Sequence, residues 1–150
     1  MNVFLDLEET VLNNWEDGLL VNTDKVRDWL AGLNVTQVHL FSFAVWNDKD
    51  KDHFTHTYKP LLEKALGVTF VDAPSVEDFM DADREVTGVR LDSLFEYCQL
   101  RGKVDGFRSW CKLHFDKQHN VLLDDVVPNA TWHDTDSGLK LQYVNVKDLV

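Results

Sequence analysis

The feature that most constrains this chain is an apolar run ending in acid, and it occurs twice. Near the start, Val3-Phe4-Leu5 leads into Asp6, Glu8 and Glu9, then Thr10. Near the other end, Val121-Leu122-Leu123 leads into Asp124 and Asp125. Short runs of this kind, without polar alternation, read as strands covered on both faces, as in a parallel sheet. Carboxylates at the tips of such strands are costly neighbours. Two like charges about 4 Å apart repel by roughly 4 kcal/mol at an effective dielectric near 20. A divalent cation offsets that repulsion where the ligands are oxygens. Two such strands side by side would bring both acid clusters to one sheet edge, where open α/β sheets hold their ligands.

The rest of the chain supplies strands and helices in alternation. Trp15-Glu16-Asp17-Gly18 carries the Asp-Gly signal of a hairpin over about residues 11–22. Thr23 reads as an N-cap, with Val26, Trp29, Leu30 and Leu33 at helical spacing behind it. Gln37 to Phe43 is rich in β-formers and holds Ser42 near its end. A polar loop with Trp46 and Asn47 follows. Phe54, Tyr58, Leu61, Leu62 and Ala65 form another helical stripe, which Pro60 starts or kinks. Gly67 stops it, and Val68 to Val71 is a short strand. Asp72 to Val89 is acidic with little periodicity, and fits either a solvated helix or a small lid within about 72–102. Two helices meet at Gly102, the second with Val104, Phe107, Cys111 and His114 on one face. Leu139, Leu141 and Tyr143 alternate as the last strand. The order predicts a single α/β domain over 1–150. Its expected architecture is a three-layer α/β/α sandwich with a mostly parallel, Rossmann-like sheet.

Composition narrows the function. With 44% apolar residues, five Trp and nine Phe, the chain can bury a sizeable core. A net charge of −11 repels nucleic acid and anionic membranes at long range. It leaves room for a local phosphate pocket, so a small molecule or nucleotide is favoured over long nucleic acid. No membrane span or signal peptide is expected. Cys98 and Cys111 lack CxxC spacing and read as reduced thiols of a cytoplasmic protein. His53 and His56 have ligand-capable spacing, but no further ligand completes a zinc set.

Asp6-x-Glu8-x-Thr10 after an apolar strand resembles the first motif of the haloacid dehalogenase (HAD) superfamily, normally Asp-x-Asp-x-Thr. Leu40-Phe41-Ser42 resembles its second motif, and Leu122-Leu123-Asp124-Asp125 its fourth. The motifs stand in the family's order and span residues 3 to 125. The resemblance implies a small-cap or capless Mg²⁺-dependent phosphatase, with a β-hairpin flap after the first strand. Asp6 would be nucleophile and metal ligand. Glu8 would give a backbone carbonyl to the metal and a side-chain acid/base, although relatives carry Asp there. Asp125 would bind metal, with Asp124 orienting it or binding through water, and Asn129 could hold a metal-bound water. Lys103, at a helix start, would steady the nucleophile and the phosphate; Arg101 and Lys112 are rivals. Thr10 and Ser42 supply hydroxyls to turn and phosphate, and Trp15 and Asn47 lie where a substrate could touch them.

Plainer roles exist for each residue. Asp6 could be a turn Asp, Ser42 a strand-end hydroxyl bonding local backbone, Lys103 a solvated lysine and 11–22 a surface hairpin. The function expected from the resemblance is hydrolysis of a phosphomonoester, on a nucleotide, a nucleic-acid end or another phosphoester. The alternative is a catalytically silent member that uses the fold to bind a partner.

Overall fold

Strand β1 (Asn2–Leu5) lies at the centre of the sheet in the computed structural model, which describes residues 1–150. It pairs in parallel with β2 (Gln37–Leu40) on one side and β4 (His119–Asp124) on the other. Beyond β2 lies β3 (Thr69–Phe70), and beyond β4 lies β6 (Lys140–Asn145), both parallel to their neighbours. β5 (Ala130–His133) forms the far edge, antiparallel to β6. The order is β3-β2-β1-β4-β6-β5, so the chain is α/β with a mostly parallel six-stranded sheet, as the patterning predicts.

The helices are α1 (Thr23–Gly32), α2 (Asp48–His53), α3 (Lys59–Leu66), α4 (Val76–Thr87), α5 (Leu94–Leu100) and α6 (Gly102–His114). Strand side chains alternate between two hydrophobic clusters. Val3 and Leu5 of β1 and Val121 and Leu123 of β4 join the first, with Val26 and Leu30 of α1 and Leu62 and Leu66 of α3. Phe4 and Leu122 join the second, with Phe79 of α4, Tyr97 of α5 and Phe107 of α6. Because both sides of β1 are covered, Val3, Phe4 and Leu5 are each 1% exposed or less. Full burial of one such side chain contributes about 1.5–3 kcal/mol; the one buried polar side chain before either tip, Asn120 of β4, has hydrogen-bond partners in Asn2 and the Phe115 carbonyl.

Several elements differ from the sequence expectation. Thr23 is the first helical residue, and the cap is Asn22 in the left-handed region (φ 57). Asn22 uses its amide to donate to the Thr10 carbonyl at 3.1 Å, which ties the preceding loop to the helix. Helix α3 starts at Lys59, as expected of Pro60, but the chain before it is already helical. A π-helical turn over Phe54–Tyr58 joins α2 to α3, with the proline in the first turn of α3. That position tolerates the missing N–H of proline. The unreadable acidic stretch is α4, opened by a Ser75–Asp78 capping box and burying Val76, Phe79, Ala82 and Asp83. Asp83 is buried because Arg101 grips it through Nε at 2.8 Å and Ser109 Oγ donates to it at 2.6 Å. β5 has no counterpart in the expectation. Its residues are mostly exposed at the sheet edge, so they lack a buried-strand pattern.

Residues 11–22 form a loop with one antiparallel bridge, Leu12 to Leu20, in place of two regular strands. Two backbone bonds cross it, from the Asn13 N–H to the Leu19 carbonyl at 2.8 Å and from the Val21 N–H to the Val11 carbonyl at 3.0 Å, and Asn13 Oδ1 accepts from the Asn14 and Leu19 N–H groups. Cys98 and Cys111 are free thiols on α5 and α6. No helix is long and apolar enough to cross a membrane.

Candidate functional site

The register of the central strands builds the site. Leu5 of β1 pairs with Leu123 of β4, and one step on, the Asp6 N–H donates to the Leu123 carbonyl at 3.0 Å. Asp6 therefore leaves β1 beside Asp124, at the point where the chain order on the two sides of β1 diverges. This is the crevice position of open parallel sheets. Asp6 follows Phe4 by two residues and Asp124 follows Leu122 by two, so both carboxylates continue the face that carries the second cluster. Helix α6 covers that face, where Phe107 packs edge-on to Phe4 at 5.0 Å. Lys103 lies one turn before Phe107 on the same side of α6. Its ammonium bridges the two acids, 3.1 Å from Asp6 Oδ2 and 2.5 Å from Asp124 Oδ1.

Asp6, Asp124 and Asp125 are all buried, and each offers a carboxylate oxygen within 4.8 Å of the others. Their surroundings differ. Asp6 Oδ2 also accepts from Thr10 Oγ1 at 3.1 Å. Burial pushes the Asp6 carboxyl up to about 8; Lys103 pulls against that rise and the Asp124 charge adds to it. Asp124 Oδ2 accepts from the Val126 and Val127 N–H groups, each at 2.9 Å. Burial alone would raise its pKa, but Lys103 and these two bonds outweigh burial and hold it below the ordinary value. Lys103 is raised, because the two carboxylates outweigh the burial that disfavours its charge.

Asp125 is 6% exposed and lines the cleft; Asn145 Nδ2 engages its backbone carbonyl at 3.2 Å. No side-chain partner within the chain takes up its carboxylate. Three buried carboxylates against a single ammonium leave the cluster electron-rich. An all-oxygen donor set of this kind fits a hard divalent cation.

The cleft encloses about 370 Å³ and opens beside Asp6, Glu8, Ser42, Lys103 and Asp125. Ser42, 1% exposed, accepts from the Ala44 N–H at 3.1 Å through Oγ, which leaves its own O–H to donate. Glu8 stands outside the three-carboxylate group. Its Oε2 accepts from the Trp15 N–H at 3.0 Å, and its Oε1 has no hydrogen-bond partner within the chain.

Other sequence-predicted residues lie elsewhere. Trp15 does not line the cleft. Its ring packs against the first cluster, edge-on to His53 at 5.2 Å and Tyr58 at 5.1 Å, because a large apolar ring gains more by burial than beside carboxylates. Asn47 caps α2, accepting from the Asp50 N–H at 3.1 Å. Thr10 is fully buried and serves Asp6 from below the cleft. Asn129 accepts from the Asn145 N–H at 2.6 Å and so tethers the loop to β6. Of the rival cations, Arg101 is held by Asp83, and neither it nor Lys112 lines the cleft.

Glu9, Asn13, Asn14, Phe43 and Ala44 complete the lining, and sequence reasoning had not singled them out as site residues. Phe43 and Ala44 directly follow Ser42, and that adjacency was the only signal for them. Comparison of the chain with protein-family models, curated proteins and solved structures finds no match.

Proposed function

We propose that this protein is a HAD-type phosphomonoester hydrolase that depends on Mg²⁺, built as a three-layer α/β/α sandwich with residues 11–22 as a flap. One observation carries the reading. Two strand tips from opposite ends of the chain bring Asp6, Asp124 and Asp125 within 4.8 Å of one another, around the ammonium of Lys103. In this reading Asp6 and Asp125 ligate the cation, with Asp124 behind them. When bound, Mg²⁺ would neutralise charge on the transferring phosphoryl group and hold Asp6 ionised.

A carboxylate oxygen of Asp6 attacks phosphorus, forming an aspartyl-phosphate as the bond to the leaving alcohol breaks. Glu8 gives its Oε1 proton to the departing oxygen and then takes one from the water that hydrolyses the acyl phosphate. Lys103 and the Ser42 hydroxyl face the phosphoryl oxygens. The test is Mg²⁺-dependent phosphate release from 4-nitrophenyl phosphate, with Asp6→Asn as control. Release by the wild type that the variant abolishes supports the proposal; activity that survives the substitution refutes it.

A silent binding protein is the second reading, favoured by the one bond that ties Glu8 to the Trp15 backbone. It predicts no turnover of any phosphoester but retained Mg²⁺-dependent binding of inorganic phosphate.

A further inference from the structure

We infer that the cleft selects phosphomonoesters whose remaining part is neutral or cationic, such as small amino-alcohol or polyol phosphates, and rejects those carrying a second anionic group. This deepens the phosphatase reading and rests on it. Four carboxylates line the cleft, on Asp6, Glu8, Glu9 and Asp125, and Lys103 is the single cation among the lining residues. That ammonium is already held between Asp6 and Asp124. The triad and its cation can take one phosphoryl group. No further positive charge lines the cleft to meet a second phosphate or a carboxylate.

What the substrate's other end meets is the rim formed by Glu8, Glu9 and Asn13. The backbone of this rim is held by its own hydrogen bonds. Glu9 sits in the left-handed region (φ 59) with its N–H donating to the Leu12 carbonyl at 2.6 Å. Glu8 is tied to the Trp15 N–H, and Asn13 Oδ1 accepts two backbone N–H groups. The Asn13 Nδ2 donor has no partner in the chain and is the natural contact for a hydroxyl. The Glu9 carboxylate is exposed and has no partner in the chain, so it is free to meet the far end of a substrate. Ammonium and hydroxyl donors satisfy the glutamate oxygens. A nucleoside triphosphate or a nucleic-acid end would set its remaining phosphates against them. The overall charge of −11 adds long-range repulsion of the same sign.

Phosphoethanolamine and phosphoglycolate test this directly. They are two-carbon phosphomonoesters that differ in an ammonium against a carboxylate. Phosphate release and calorimetric binding are measured for both on the full chain in Mg²⁺, alongside 4-nitrophenyl phosphate. Phosphoethanolamine is expected to be favoured by about tenfold or more, since one pair of unit charges roughly 6 Å apart changes affinity by about threefold at the dielectric of water and about a hundredfold at a dielectric near 20. Glu9→Lys is expected to narrow or reverse that ratio, and Glu9→Gln to give an intermediate one; a ratio is independent of any general loss of activity. Equal handling of the two compounds, or a preference for phosphoglycolate, overturns the inference even if 4-nitrophenyl phosphate is cleaved. Failure of both to bind overturns it as well. A tenfold binding preference without turnover of any of the three supports the selectivity and refutes the hydrolase.

Discussion

Replacing Asp6 by Asn is expected to stabilise the metal-free protein while abolishing its activity, and the size of the effect follows from burial. Asp6 is 2% exposed, and its carboxyl is pushed from an ordinary value of 3.8 up to about 8. Below pH 3.8 the folded and unfolded chains both hold this proton, and the group contributes nothing to the pH dependence. Above it the unfolded chain ionises while the folded chain keeps its proton. Stability is then lost as pH rises, by about 1.4 kcal/mol per unit, until the folded group ionises too. Between pH 5 and pH 7 this amounts to at most about 3 kcal/mol, and asparagine escapes it.

Asparagine also keeps an acceptor for Thr10, and Lys103 keeps Asp124. The lost attraction between Lys103 and residue 6 takes back part of the gain, so a net gain of about 1–3 kcal/mol is expected at pH 7. Urea unfolding in chelator-treated buffer at pH 5 and pH 7 measures it. In a thermal scan each kcal/mol is about 2–4 °C for a chain near this size. Mg²⁺ at a hundred times its Kd would raise wild-type stability by about 2.7 kcal/mol and the variant far less. A variant less stable than the wild type at pH 7, or a gap that does not widen from pH 5 to pH 7, would refute the argument. Lys103 would then dominate Asp6, and burial would not.

Other substitutions probe the supports of the site. Lys103→Met leaves Asp124 buried without its counter-ion and is expected to cost about 3–5 kcal/mol in urea unfolding, with Mg²⁺ restoring part of the loss. A loss below 1 kcal/mol would show that the bridge is dispensable. Asp83→Ala strands Arg101 and Ser109 behind α4 and is expected to destabilise by a similar amount, about 3–5 kcal/mol, without altering the pH profile of any activity. Gly18 has φ +63, and a Cβ there would lie 2.3 Å from the Tyr58 ring. Gly18→Ala is therefore expected to lose about 1–3 kcal/mol and to release the 11–22 loop, seen as faster amide exchange at Trp15.

Much of the molecule was legible because it depends on local chemistry. The runs Val3–Leu5 and Val121–Leu123 have no polar residue, and only a strand covered on both faces suits them. The acids at their tips mark where burial ends. Gly67, with φ 69, stops α3 where its lack of a side chain permits the left-handed turn. Lys103 could be named as a residue at a helix start, but so could Arg101, and nothing local separates the two. The separation comes from Asp83, 18 residues earlier, which is buried and takes the arginine. The position of Trp15 after the first acids suggests a contact with substrate. Its ring packs instead on the first apolar cluster, against Tyr58.

By itself, then, the sequence determined most of the strands and helices, though not β5 or α4, and which of them end in acid, because hydrophobic period and turn chemistry act over a few residues. The tertiary structure alone decided the partnerships: that β1 lies against β4, that Asp6 stands beside Asp124, and that Lys103 and not Arg101 reaches them. Those choices turn on a register across more than a hundred residues of chain and on competition for counter-ions 18 or more residues apart, distances over which no local pattern carries information.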